Sequence, residues 1–250
     1  MAEYDAIASD YPARAQGEPI ISLSYAWISE AIAPVRGSSV CDLGCGSGEL
    51  SRRLADRGAS VTGLDLSPLM VQEARDRDAV GEVTWVIGDA TQTRLATESF
   101  DAVVASLMLM DLSDFRAVFA EACRILKPGG LMAWTIMHPC FQSPYSAGLP
   151  DDTGALVHRR IVTYAAQHWR STKPGTIRGT VGAWHRPITE YLTGFIESGF
   201  TIDQVAEPVI PAAWPLARDR WHHYVLPPLL AVRGIRQPSW VREITTSPSD

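Results

Sequence analysis

The sequence predicts an α/β fold, a doubly wound sheet with helices on both of its faces, and three observations predict it. Short apolar runs alternate with helical periodicities through residues 38–136. Those runs are apolar on both faces, as strands of a parallel sheet covered on two sides must be. The first run also leads directly into a glycine-rich turn, Gly44-Cys45-Gly46-Ser47-Gly48, that opens a helix.

The elements follow in order. Residues 38–43 form a short strand, the glycine turn follows, and residues 49–57 have helical spacing closed by Gly58. A second strand at 59–64 ends on Asp65, and Ser67-Pro68 supply an N-cap and a first-turn proline for a helix through Arg77. Residues 83–87 read as strand three, ending at Gly88-Asp89, and residues 100–105 as strand four, ending at Ser106. A helix over 114–126 is stopped by Lys127-Pro128-Gly129-Gly130, and strand five follows at 131–136. Upstream, residues 18–32 read as a helix that closes the sheet or covers a cofactor. Downstream, residues 137–183 are rich in Gly, Pro, aromatics and His, which is long for a plain connection and predicts an inserted lid or cap after strand five. A helix at 189–198 and strands at 200–207 and 229–235 complete the chain, with an aromatic loop at 211–228 between the strands and a frayed tail from Thr245. The division expected is residues 1–36 as a helical cofactor cover, 37–136 as the binding core, 137–186 as the lid and 187–244 as the completion of the sheet.

Composition narrows the function. With 250 residues, 46% hydrophobic and 20% charged, the chain can bury a full core, so disorder is excluded as the default. No run approaches the roughly 18 apolar residues of a membrane span, and the first residues lack the basic and apolar regions of a signal peptide. The expectation is a soluble, cytoplasmic protein with no membrane partner. A formal charge of −6 argues against a nucleic-acid partner and favours a small molecule. The charge is uneven: residues 1–137 are net −8 and residues 138–250 net +2, and all six histidines and five of the eight tryptophans lie at or beyond position 138. The four cysteines fit neither a disulfide framework nor paired zinc-ligand spacing. A homodimer is the assembly allowed for.

Glycines after a first strand can serve several adenosine cofactors, and the neighbours decide among them. A nicotinamide fingerprint places its third glycine where Glu49 stands, and Asp42 adds a second carboxylate where a diphosphate would sit. No Gly-Lys-Ser/Thr follows, which excludes a P-loop. A phosphate-free cofactor with adenosine, an ammonium and a sulfonium fits, and S-adenosylmethionine has that chemistry. Asp65 stands where a carboxylate can accept both ribose hydroxyls, and Asp89 where one can accept the adenine amino group.

At this point the sequence resembles the class I S-adenosylmethionine-dependent methyltransferases. The matching stretches are 40–48, Gly63-Leu64-Asp65-Leu66-Ser67, Gly88-Asp89-Ala90, Phe100-Asp101-Ala102-Val103 and Leu126-Lys127-Pro128-Gly129-Gly130. The resemblance implies a Rossmann-like mixed sheet of seven strands with the last antiparallel. It also carries cofactor binding to Asp42, Gly44, Gly46, Asp65, Leu66, Asp89, Ala90 and Ser106. The opening residues 4–11 are similar to the N-terminal helix of many small-molecule members, in which the second tyrosine, here Tyr11, comes near the cofactor.

Methyl transfer is an in-line displacement, so positioning and exclusion of water carry much of it, and a phenol or alcohol acceptor also benefits from a base. His138 follows strand five beside the expected cofactor mouth and is the catalytic candidate; the alternative is a histidine packed on Pro139 or bonded to nearby backbone. A His138-Pro139-Cys140-Phe141 stretch followed by His185-Arg186-Pro187 is similar to a subset of small-molecule methyltransferases. Substrate contacts are expected from His138, Phe141, Trp184, His185 and His222. His185 and Arg186 equally suit a structural role before the following helix. Adjacent His222 and His223 cannot face one way on a strand, and no metal is expected. The aromatic surplus favours a ring-bearing acceptor. The sequence thus reads as a methyltransferase of a small organic molecule, in keeping with secondary metabolism. The alternatives are a protein of the same fold that binds the cofactor without transferring methyl, and, disfavoured by Glu49 and Asp42, a nicotinamide oxidoreductase.

Overall fold

The computed structural model describes residues 3–15, 18–152, 156–171, 177–211, 213–214 and 226–238. A 3-10 turn at Glu3–Ile7 and the short α1 (Tyr11–Ala15) precede α2 (Pro19–Ala31). The central run then alternates: β1 (Ser39–Leu43), α3 (Glu49–Asp56), β2 (Ser60–Asp65), α4 (Pro68–Asp76), β3 (Val83–Ile87), β4 (Phe100–Ser106), α5 (Phe115–Ile125) and β5 (Leu126–Met137). Two small antiparallel pairs follow, β6 (Ala147–Pro150) with β7 (Leu156–Arg160) and β8 (Gln167–Trp169) with β9 (Ala183–His185); the four-residue α6 (Ile177–Thr180) precedes β9. The chain then forms α7 (Ile188–Glu197), β10 (Phe200–Ala206) and β11 (Leu229–Arg236).

The main sheet has seven strands in the order β10-β11-β5-β4-β1-β2-β3. Strands β1 to β5 are parallel, and β11 is antiparallel to both β5 and β10, so the mixed sheet with a reversed last strand is present. Val40 faces Val61 on one side and Ala102 on the other, a register that brings the carboxyl ends of β1, β2, β3 and β4 to one edge. In an open α/β sheet that edge is where ligands bind.

Each face of the sheet has its own core. On one face Ile28 of α2 and Leu50 and Leu54 of α3 pack over Val40, Val61 and Val104. On the other, α5 and α7 build an aromatic core in which Phe119 and Phe195 lie 5.5 and 5.7 Å from Trp134, and Phe195 stacks on Phe200 at 4.3 Å. Trp134, Phe119 and Phe195 have no exposed surface, so truncating any of them should cost about 3–5 kcal/mol. Helix starts follow local chemistry: the Ser67 hydroxyl accepts the Met70 N–H at 3.1 Å, and the Asp114 carboxylate accepts the Ala117 N–H at 3.1 Å.

Two elements differ from the sequence reading. Strand β5 starts at Leu126, because Leu126 pairs with Phe100 before the register shifts and the regular ladder resumes at Ala102 and Leu131. Residues 137–186, read from the sequence as an inserted lid or cap without assigned elements, hold two β-pairs whose partners lie up to 18 residues apart. Helix α2 lies against β4, β5 and β11 and thus covers the sheet, while Glu18, Ile20 and Ile21 at its start reach a cavity described below.

Candidate active site

The glycine turn after β1 needs backbone conformations that side chains resist. Gly44 has φ +68°, and a Cβ there would stand 2.8 Å from the Met108 Cβ. Gly48, at φ +79°, would drive a Cβ to 2.2 Å from the Trp85 ring. The turn is bonded to its neighbour strand, since the Gly44 and Cys45 N–H groups both donate to the Leu64 carbonyl at 2.8 and 3.0 Å. Beneath it Asp42, 1% exposed, accepts a 2.6 Å hydrogen bond from the Ser51 hydroxyl of α3. Burial pushes the Asp42 carboxyl up to about 7, although the Ser51 bond opposes the shift.

Asp65 ends β2 and holds two loops together. Its Oδ2 accepts the Gly46 N–H at 2.8 Å and its Oδ1 accepts the Ser67 N–H at 2.9 Å. Each oxygen keeps a second lone pair, so the carboxylate can still receive two hydroxyls. Burial raises the Asp65 pKa, and the two backbone bonds pull it back. Asp89, after β3, binds the Thr91 N–H and hydroxyl through Oδ1 at 2.8 and 2.7 Å.

These strand ends enclose a cavity of about 210 Å³. Of the cofactor contacts expected from the sequence, Tyr11, Gly44, Gly46, Asp65, Leu66, Asp89, Ala90 and Ser106 line it, whereas Asp42 does not, because it is buried under the glycine turn against α3. Asp111 is a third carboxylate on the wall, and among the described residues no lysine or arginine lines this cavity. Arg178, on the wall of the neighbouring cavity, pairs with Asp111, which leaves Asp65 and Asp89 as the carboxylates here without a paired cation; two such acids repel a diphosphate and suit a cationic ligand. A Cβ at Gly46 would meet only the Tyr11 ring, at 3.8 Å, so the missing side chain leaves cavity space. The donor set and the space therefore fit the adenosine, ammonium and sulfonium of S-adenosylmethionine.

A second cavity, of about 620 Å³, shares Tyr4, Tyr11 and Leu107 with the first. Leu107 adopts φ +57°, rare for a branched residue, immediately after β4 where the two cavities meet. The Tyr4 hydroxyl donates to Asp111 Oδ2 at 2.7 Å, and Arg178 is paired with Asp111 through Oδ1. The Tyr4 and Tyr11 rings meet edge to face at 5.9 Å, and burial raises both phenols, Tyr11 to about 12, so both keep their protons at neutral pH. The larger cavity is otherwise walled chiefly by apolar and aromatic side chains, among them Trp169, Trp184 and Tyr191.

The histidines divide. His138, 1% exposed, lies on neither cavity wall; its Nδ1 accepts the Cys140 N–H at 3.2 Å, so Nε2 carries the proton and donates to Glu207 at 2.7 Å. With both nitrogens committed, it has no lone pair to act as a base. Its carbonyl also accepts the Phe141 and Gln142 N–H groups, and the Phe141 ring packs on the imidazole at 4.6 Å, away from both cavities. This corrects the expectation for His138 and Phe141: the turn after β5 is built around the histidine. Trp184 and His185 do line the larger cavity. His185 is 6% exposed, hydrogen-bonds to the Tyr164 backbone and, among the described residues, leaves its buried Nε2 without a partner, while burial lowers its pKa. His222 lies outside the described residues, as do Trp221, His223 and Tyr224.

Sequence reasoning missed Tyr4, Ser67, Met108 and Asp111 on the cofactor wall, and Arg178 beside it. The Asp111 signal was available, an acid just beyond the end of β4, but its partners lie 107 and 67 residues away.

Residues 41–134 match the family described as Methyltransferase domain. A demethylmenaquinone methyltransferase of Tropheryma whipplei is 31% identical over 173 residues, 68% of this chain and 63% of that protein. A malonyl-[acyl-carrier protein] O-methyltransferase of Salmonella typhimurium is 38% identical over 100 residues, 40% of this chain and 39% of that protein. The chain therefore spans less than two thirds of the length of either relative. The crystal structure of an S-adenosylmethionine-dependent methyltransferase from Mesorhizobium loti is 29% identical and similar at a TM-score of 0.73, over 86% of this chain and 98% of that one.

Proposed function

We propose that this chain is a class I S-adenosylmethionine-dependent methyltransferase that moves a methyl group to an O, N or C nucleophile of a small, ring-bearing acceptor in the larger cavity. The observation that carries the reading is the contrast between adjoining cavities, one edged by Asp65 and Asp89 with no lysine or arginine on its wall among the described residues, the other walled chiefly by aromatic and aliphatic side chains. The names of two relatives, which act on demethylmenaquinone and on malonyl-[acyl-carrier protein], support an organic acceptor.

When bound, S-adenosylmethionine supplies an electrophilic methyl group. Asp65 holds the ribose hydroxyls with its remaining lone pairs, Asp89 and Ala90 meet the adenine, and the turn at Gly44 and Gly46 leaves room for the amino-acid end. Tyr4, Tyr11 and Leu107 stand where the cavities join, and Trp169 and Trp184 help keep water from the acceptor. His185, kept neutral by burial and with Nε2 unpartnered, takes the proton of a hydroxyl or amine acceptor. Residues 137–186 serve as the lid, since β8, β9 and α6 supply much of the acceptor wall.

The test incubates the protein with methyl-labelled S-adenosylmethionine and panels of phenols, amines, carboxylic acids and activated carbons. The expected result is labelled product from at least one class, with S-adenosylhomocysteine formed one for one. Turnover of an acceptor without label transfer would replace methyl transfer by another reaction of the same fold.

A further inference from the structure

Arg186 sits between β9 and α7 on the wall of the larger cavity, and it is 5% exposed. Its Nη2 donates to the Leu112 and Ser113 carbonyls at 2.6 and 2.8 Å. Its guanidinium carbon lies 4.7 Å from the centre of the Phe115 ring, 5.3 Å from that of Trp184 and 5.9 Å from that of Tyr191, whose hydroxyl lies beside it. Carbonyls and aromatic faces solvate part of a cation, but they do not neutralise it. Among the described residues no carboxylate pairs with Arg186, and its buried Nη1 has no hydrogen-bond partner. The other arginines near it in burial do not share this state: Arg178 is paired with Asp111, Arg233 with Asp203 and Arg236 with Glu98.

A buried, unneutralised cation is costly unless something completes it. The adjacent His185 is also a wall residue, and its buried Nε2 has no hydrogen-bond partner among the described residues. We propose that the larger cavity takes an acceptor bearing a carboxylate, and that Arg186 is the residue that reads it. This rests on the methyltransferase reading only in calling the occupant an acceptor. A planar, singly charged anion matches one guanidinium edge in an otherwise aromatic pocket. The remaining charged wall residues are Glu18 and Arg178, and Arg178 is already balanced by Asp111. His185 then meets a hydroxyl or amine on the same molecule.

The test titrates matched acids and amides, namely benzoate with benzamide, phenylacetate with phenylacetamide and cinnamate with cinnamamide, into the full chain with and without S-adenosylhomocysteine. The acid is expected to bind at least tenfold tighter than its amide in at least one pair. Arg186→Gln should abolish that preference and Arg186→Lys restore part of it, with the affinity for S-adenosylhomocysteine unchanged in both. Should Arg186→Gln fail to fold because its carbonyl bonds are lost, the wild-type pairs and the lysine variant still decide. Absence of an acid preference in every pair, including absence of binding, overturns the proposal, as does a preference that survives Arg186→Gln. Failure of S-adenosylhomocysteine to bind would instead count against the methyltransferase reading.

Discussion

Two histidines that look alike in the sequence do opposite things, and the difference lies in which nitrogen is left over. His138 loses both nitrogens to Cys140 and Glu207, the latter 69 residues away, whereas His185, a cavity-wall residue, has no partner for its buried Nε2 among the described residues. No local pattern could have told them apart, because both stand at the end of a strand and both precede proline or Arg-Pro. Asp65 and Asp89 were legible for the converse reason: their place depends only on where a strand ends. The roles predict distinct pH behaviour. Burial lowers the His185 pKa, so the rate should fall only as pH drops below the ordinary histidine value of about 6.5, where Nε2 becomes protonated. A kcat/KM profile of His185→Gln should lose that acid limb and fall by about 10²–10⁴ fold, the usual weight of a general base. His138→Ala should instead lower the melting temperature and leave the acid limb in place.

At the level of elements, β1 to α5 could be read because their signals are local: a glycine turn, the Ser67 and Asp114 caps, and a strand ending in an acid. The pairing of β6 with β7 and β8 with β9 was not legible, since short strands declare themselves only through partners elsewhere in the chain. Packing between elements makes a further prediction. Gly63 in β2 lies under Trp85 of β3, and a Cβ there would stand 2.6 Å from the ring. The ring cannot move easily because its Nε1 donates to Asp78 at 3.0 Å. Gly63→Ala should therefore destabilise the fold by about 1–3 kcal/mol in urea unfolding, the cost of overpacking. A loss below the error of the urea measurement would mean that Trp85 relaxes freely.

The whole molecule sets a cofactor edge carrying Asp65 and Asp89 against a cavity whose wall carries His185 and Arg186. Asp42 links that edge to global stability. Its folded pKa of about 7 lies above the unfolded value near 3.9, so the stabilisation it gives is complete below pH 4 and is lost as pH rises through 7. The ligand-free protein should lose stability as pH rises from about 4 to 7, by at most about 1.4 kcal/mol per unit, and level off above 7, and Asp42→Asn should flatten that slope in thermal melts. The cofactor site is tested most directly by a calorimetric titration of the wild type and Asp65→Ala with S-adenosylhomocysteine and with NADH. The expected result is one S-adenosylhomocysteine per chain, no NADH binding, and at least a tenfold weaker S-adenosylhomocysteine complex in the variant, about 1.4 kcal/mol. Tight NADH binding without S-adenosylhomocysteine binding, or an affinity indifferent to Asp65, would contradict it.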